Sequence, residues 1–378
     1  MKLQRTLFVS VAVLVVVLVL AGCAGLRALA PVVDSITAEP AEGMAAPAPA
    51  EAAPVEAAAD WMAPEGALVS MAVEAAPTLD GIADEAFWAD APSITVEVFD
   101  GANIGDGEVT LQSVYADDMV YFLMTWADET ESFVRSPWVK QDDGSWAKLK
   151  DPDDKGGDNN VYYEDKMSLI WPIANSIPRF ERQGCYVACH TSRGDDPKPY
   201  GNKYTDEGMG DIWHWKSVRN VGQIDDQYLD STPYSPETPS AGRHGDPKTS
   251  GGYADNQTED KSMPMWMGPE GSPRDGAPGS ILDAEKLPFD DSLFAPGDMV
   301  PGIVKSPAVG DSGDIAAGWK WQDGVWTLEF GRKLVTGSEF DVQFDDMGGM
   351  YYFGVAIFDN AQVRHAYQED VSMLVFQP

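Results

Sequence analysis

The sequence predicts an all-β fold, an antiparallel β-sandwich, and three observations carry that reading. Apolar and polar residues alternate at period two near both ends of the folded part, and turn residues separate the alternating runs. No segment repeats its apolar residues at helical spacing over any length. Strands at both ends with few helices between them suit two packed antiparallel sheets.

Taken in order, the chain opens with Lys2 and Arg5, an apolar run from Leu7 to Leu20, and Ala21-Gly22-Cys23. A short basic start, an apolar stretch of this length and small residues behind it make a secretory signal over residues 1–22. The run is short for a bilayer span, which needs about 20 apolar residues. Leu20-Ala21-Gly22-Cys23 resembles the bacterial lipobox, which implies lipidation of Cys23 and an anchor on the outer face of a membrane. Residues 23–65 are Ala, Pro and Glu with almost no large apolar side chain, an extended linker.

A domain is expected over residues 66–378. Ile94–Phe99 reads as a strand, and Val109–Tyr115 and Val120–Trp126 form a hairpin about a turn at Asp117 and Asp118. Val325–Phe330, Phe340–Phe344, Tyr351–Phe358 and Met373–Phe376 read as further strands. Between about 177 and 307 the chain is rich in Gly, Pro, Asp and Ser. An irregular stretch of that length inside a domain usually wraps a ligand.

Composition bounds the function. The 378 residues are 44% hydrophobic, enough for a core, and carry 26 Lys and Arg against 61 Asp and Glu, a net charge of −35. Such a surface repels phosphate backbones and argues against nucleic-acid binding. Removal of residues 1–22 leaves 24 basic against 61 acidic residues, −37, which suits a partner with a basic docking face.

The chemistry concentrates in Gly184-Cys185-Tyr186-Val187-Ala188-Cys189-His190. Two thiols one turn apart with an imidazole directly behind them are the layout of a covalent c-type haem site. Cys185 and Cys189 would attach one haem, and His190 would ligate its iron. The spacing is one residue longer than the usual C-x-x-C-H. A local disulfide and a zinc site are the alternatives, and zinc lacks a second ligand pair. The distal ligand is expected to be His214, set between Trp213 and Trp215 as pocket walls, with Met209, His365 and Lys140 as weaker candidates. Asp151, Asp153 and Asp154 open like a calcium loop, but Lys155 and Tyr162 stand where ligands belong, leaving a solvated acidic turn.

Several blocks together resemble one family. They are Leu79-Asp80-Gly81 with Asp84 and Trp88, the run Val114–Thr130, Glu164-Asp165-Lys166, Gly184–His190, Asp211–Lys216 with Asp225 and Asp226, and Trp326–Gly337 with Phe353–Asn360. Over roughly residues 68–377 the chain is similar to the haem-binding domain of the ethylbenzene dehydrogenase γ subunit and the cytochrome c-552/DMSO-reductase-type proteins. The resemblance implies a sandwich of the DOMON or carbohydrate-module-9 kind with one haem in loops at one end. In the better-known subunits that haem is b-type, held by Met and Lys, and Lys140 is a candidate for the Lys. This chain departs from them by carrying Cys185, Cys189 and His190.

The reading is a membrane-anchored, extracytoplasmic monohaem cytochrome that transfers single electrons and has no catalytic site of its own. By resemblance, its redox partner is a molybdopterin oxidoreductase or another respiratory protein. The rival is a haem-free carbohydrate-binding lipoprotein whose 12 tryptophans stack on sugars.

Overall fold

The hairpin between Val109 and Trp126 forms as its alternation requires. One strand runs Gly105–Ala116, the other Met119–Ala127, and Asp117 takes a positive φ of 52° in the turn. The computed structural model describes residues 61–154, 157–189, 203–269 and 279–378. The signal segment, Cys23, His190 and most of the linker lie outside them.

Among these residues the strands are β1 (Leu68–Ala72), β2 (Ser93–Gly101), β3 (Gly105–Ala116), β4 (Met119–Ala127), β5 (Trp138–Lys140), β6 (Trp146–Lys148) and β7 (Lys166–Pro172). Then come β8 (Gly210–Lys216), β9 (Asp225–Leu229), β10 (Arg243–Gly245), β11 (Lys248–Asp255), β12 (Trp266–Met267), β13 (Ile281–Leu282) and β14 (Leu287–Pro288). The last are β15 (Met299–Val300), β16 (Ile303–Gly310), β17 (Ala316–Gln322), β18 (Val325–Lys333), β19 (Tyr351–Phe358), β20 (Ala366–Tyr367) and β21 (Ser372–Phe376). Helix is confined to short pieces such as α1 (Ala86–Asp90) and α2 (Phe180–Gln183).

The protein is a β-sandwich. One ladder runs β10-β9-β8-β7-β19-β20-β2-β3-β4-β18-β17, antiparallel throughout, with β1 and β21 attached beside β3 and β19. It closes over its own inner face. Trp126 of β4 meets Trp215 of β8 at 5.8 Å, and Phe122 of β4 and Phe330 of β18 meet Trp213 of β8 at 5.5 and 6.0 Å. These inward rings, with Leu111, Met167, Leu328 and Val355, make the main core. Edge-to-face aromatic pairs of this kind add about 0.5–1.5 kcal/mol each beyond their buried area.

Two readings of the sequence need correction. Phe340–Phe344 is a buried loop, although Val342 and Phe344 do point inward. Its backbone is held by side chains in place of a ladder: Val342 N–H donates to Asp211 Oδ2 at 2.9 Å, and Arg332 donates to the Val342 carbonyl. Val342 and Phe344 are therefore buried without strand pairing. The stretch from 177 to 307 keeps its loops, yet it also supplies β8, β9 and β10 to the main ladder and β11, β13 and β16 to a small second sheet.

Candidate functional site

Strand alternation divides β8 into two rows. Asp211, Trp213 and Trp215 face the core, while Gly210, Ile212, His214 and Lys216 face outward. Pairing places Ile170, Ser168 and Lys166 of β7 beside the outward row, and Gly354, Ala356 and Phe358 of β19 beyond them. Trp213 and Trp215, expected as pocket walls, are fully buried on the other side of the strand from His214. Both are core residues, and that expectation is corrected.

The segment after β7 folds onto this outer face. Ile177, Phe180, Cys185, Val187 and Ala188 pack on Ile170, Ile212 and Leu229. A 3-10 turn over Gly184–Val187 brings the two thiols to one side, and Cys189 N–H donates to the Cys185 carbonyl at 3.1 Å. Cys185 is buried with its sulfur above Gly354, where a β-carbon would come within 2.5 Å of Sγ. Both thiols are free. Burial pushes both up, Cys189 to about 11 even though the Arg243 charge pulls it down. His190, the expected proximal ligand, lies outside the described residues.

His214 and His365 share the outer face through Phe358. The His214 ring stacks on Phe358 at 5.6 Å, and the His365 ring tilts onto it at 4.9 Å. Their hydrogen bonds give them opposite tautomers. Arg243 donates to His214 Nδ1, and a guanidinium is donor-only, so the ring proton sits on Nε2. That Nε2 is buried and without a partner. His365 Nδ1 lies 3.1 Å from the Val363 carbonyl, an acceptor, so Nδ1 carries the proton and Nε2 the lone pair. Burial, then Lys216 and Arg243, hold His214 well below the usual imidazole range and therefore neutral.

Sequence reasoning missed the cations around His214. Lys166, Lys216 and Arg219 are buried and Arg243 is half-buried, against the two carboxylates Glu164 and Asp225. Lys216 pairs with Asp225 and Arg219 with Glu164. Lys166 Nζ donates to the Gln362 carbonyl at 2.9 Å and sits 3.8 Å over the Phe358 ring. Burial, with Arg219 next, holds the Lys166 amine far below the usual range. The face is thus rich in donors and short of acceptors, in a protein whose overall charge is −35.

The remaining candidates sit elsewhere. Met209 immediately precedes β8, half-buried, its backbone pinned to Ser176. Lys140 lies on β5, in a sheet with β6 and β15, and its amine is spent on Asp291 and the Asp291 and Phe294 carbonyls at 3.0 Å. It is not brought to the His214 face. The sugar-stacking alternative needs exposed rings, yet eight of the twelve tryptophans are buried and Trp61 is the exposed one.

Comparison with known proteins adds the following. The sequence model described as ethylbenzene dehydrogenase matches residues 85–370. None of the curated proteins matches. Among solved structures the chain is similar to a putative carbohydrate-binding protein of Bacteroides uniformis, at 9% identity and a TM-score of 0.31, over 82% of this chain and 99% of that one. It is also similar to a family 9 carbohydrate-binding module of Caldicellulosiruptor kristjanssonii in complex with glucose, at 7% identity and a TM-score of 0.29, over 82% and 95%.

Proposed function

The chain belongs to the ethylbenzene dehydrogenase family, and from that premise we propose that it is a lipid-anchored, extracytoplasmic monohaem c-type cytochrome carrying single electrons. The observation that carries this reading is that the turn holding Cys185 and Cys189 packs on the sheet face bearing His214 and His365. His190 follows Cys189 directly in the chain.

The residues fit a haem in three respects. Both thiols are free and protonated, the state required for addition to a vinyl group. The tautomer of His365 presents a lone pair at Nε2, as an iron ligand must. His214 Nε2–H, Arg243, Lys216 and Arg219 are donors with two carboxylates between them, which suits the two propionates of the cofactor.

Bound haem supplies reversible one-electron Fe(III)/Fe(II) chemistry. The chain's own part is to hold and tune it. Cys185 and Cys189 would hold it, His190 and His365 would be the iron ligands, and His214 with the cations would neutralise its carboxylates. The aromatic core beneath β8 excludes water from that side, a lever on the reduction potential. The acidic exterior steers a basic redox partner, such as a molybdopterin oxidoreductase, and makes the encounter salt-sensitive.

Production of the chain with a haem-attachment system tests the reading. Red protein whose Soret band survives acid–acetone extraction is expected, and Cys185→Ser with Cys189→Ser should release the pigment. A colourless product, or haem lost from the unmodified chain on extraction, would reject covalent attachment.

A further inference from the structure

On the core side of β8, directly beneath the His214 face, lies a group of acids that the electron-carrier reading does not use. Asp211 of β8, Asp226 of β9, Asp246 just after β10 and Asp341 in the 334–346 loop are all buried, the most exposed being Asp246 at 4%. They surround one cation, Arg332 of β18. Its Nη1 lies 3.0 Å from Asp211 Oδ2, 3.6 Å from Asp341 Oδ2 and 3.9 Å from Asp226 Oδ2. Four carboxylates against one guanidinium leave three negative charges uncompensated inside the protein. Isolated buried charges cost several kcal/mol each, so burial of this kind demands either protons or a counter-ion.

The unpaired oxygens say where the missing charge belongs. Both oxygens of Asp246, Oδ2 of Asp226 and Oδ1 of Asp341 receive no donor from the rest of the protein, and the carboxyls of Asp246 and Asp341, like those of Asp211 and Asp226, face each other. The other oxygens are largely spoken for: Asp226 Oδ1 accepts from Gln227 N–H at 3.0 Å and Asp341 Oδ2 from Thr336 Oγ1 at 2.5 Å. One oxygen each from Asp226, Asp246 and Asp341 lies within 4.8 Å of the others. Oxygens about 2.4 Å from a central calcium stand at most about 4.8 Å apart, so this spacing suits calcium coordination. Asp211, fully buried and not one of those three, adds an unpartnered Oδ1, and its carboxylate presses on that of Asp226.

We propose that Asp226, Asp246 and Asp341, with Asp211 beside them, bind one hard divalent cation, calcium, as a structural clamp. An all-oxygen, all-carboxylate donor set selects calcium or magnesium over softer metals. A divalent ion brings the group from −3 to −1. It also ties β8, β9 and the turn after β10 to the loop, far away in sequence, that delivers Val342 and Phe344 to the core. Because β8 carries Asp211 on one face and His214 on the other, the clamp stiffens the floor of the proposed haem site without touching it.

The full chain, with or without haem, is stripped with EGTA and EDTA, dialysed, and followed by thermal unfolding and elemental analysis. One calcium per chain on return of CaCl₂, with a rise in Tm that saturates at one equivalent, is expected. Asp246→Asn should lose both the bound calcium and the rise. Asp128→Asn, in a separate group of acids, should keep both. If Asp246→Asn fails to fold, the stripped and reloaded wild type still decides the point. An unchanged Tm with CaCl₂ and with MgCl₂, and no stoichiometric metal, would overturn the proposal. So would a calcium response that survives Asp246→Asn and disappears in Asp128→Asn. Neither readout depends on pigment, so this result stands apart from the haem test.

Discussion

Arg243 donates to Nδ1 of His214, and this one contact fixes which nitrogen of the ring can do what. With Nδ1 acting as acceptor, the proton is on Nε2, and a protonated nitrogen has no lone pair for iron. Ligating histidines ordinarily donate their second nitrogen to a carbonyl or carboxylate, which is the arrangement of His365 with Val363. His214 lies nearer the two thiols in sequence, but its partner is of the wrong kind.

The first prediction follows from these tautomers. In haem-loaded protein, His365→Ala should open a coordination position, seen as a high-spin spectrum and CO binding at the reduced iron. His214→Ala should leave the spin state unchanged and loosen the pigment's hold on its carboxylates. The opposite pair of spectra would return the distal role to His214.

A second prediction concerns the seat of Cys185. A β-carbon at 354 would come within 2.5 Å of its sulfur, so Gly354→Ala overpacks the site at a cost of about 1–3 kcal/mol, measured by urea unfolding. Cys185→Ala in the same chain should recover much of that loss, because the two positions share one space. Additive effects in the double variant would show that the sulfur is not seated there.

These contacts also show what the sequence could and could not disclose. The hairpin was legible from the alternation of β3, much of which is buried on one face and half-exposed on the other, and from the Asp117-Asp118 turn, although β4 is buried on both faces, with Tyr121 and Leu123 packed against Trp88. Strand β8 was not, since every residue of it is buried and its outward row includes His214 and Lys216, residues that read as surface. The thiols were legible as a local motif, whereas the cations were not. Lys166, Lys216, Arg219 and Arg243 span 166 to 243 and meet only through ladder pairings such as Lys166 with Lys216. Trp213 and Trp215 flank a candidate ligand in the sequence, but flanking residues in a strand point to its other face.

The third prediction tests the buried ion pair behind that face. Glu164 accepts from the Val218 and Arg219 amides at 2.9 and 3.1 Å and pairs with the Arg219 guanidinium. Burial would raise its carboxyl, but Arg219, Arg135 and Lys166 win and hold it below 4.5. A depressed carboxylate gives stability that is present above its unfolded value and lost as pH falls through the folded one. Unfolding midpoints should therefore drop below pH about 4.5. Glu164→Gln should cost about 3–5 kcal/mol at neutral pH by leaving Arg219 buried without its partner, and should remove that acid-side loss. A cost below about 1 kcal/mol would mean that Arg219 finds another counter-charge.

The fourth prediction has the opposite sign. Asp128 and Asp165 face each other near Asp359; burial first, then the Asp359 charge, pushes Asp128 to about 7, and burial first, then the Asp128 charge, pushes Asp165 to about 8. Asp165 still accepts from Ser132 N–H at 2.7 Å, Asn360 N–H at 2.9 Å and the Trp326 indole at 3.2 Å, whereas Asp128 Oδ2 has no partner. A raised carboxyl stabilises the fold while protonated, below its unfolded value of 3.8, and that contribution is lost as pH rises through the folded value. Stability from this pair should thus decline between about pH 4 and 8. Asp128→Asn removes the charge that repels Asp165 and leaves Asp165's own donors in place. The variant should match or exceed wild type at pH 8 and show a shallower decline, read as Tm against pH. A decline as steep as that of wild type would mean that the two carboxyls do not share a proton economy in the folded protein.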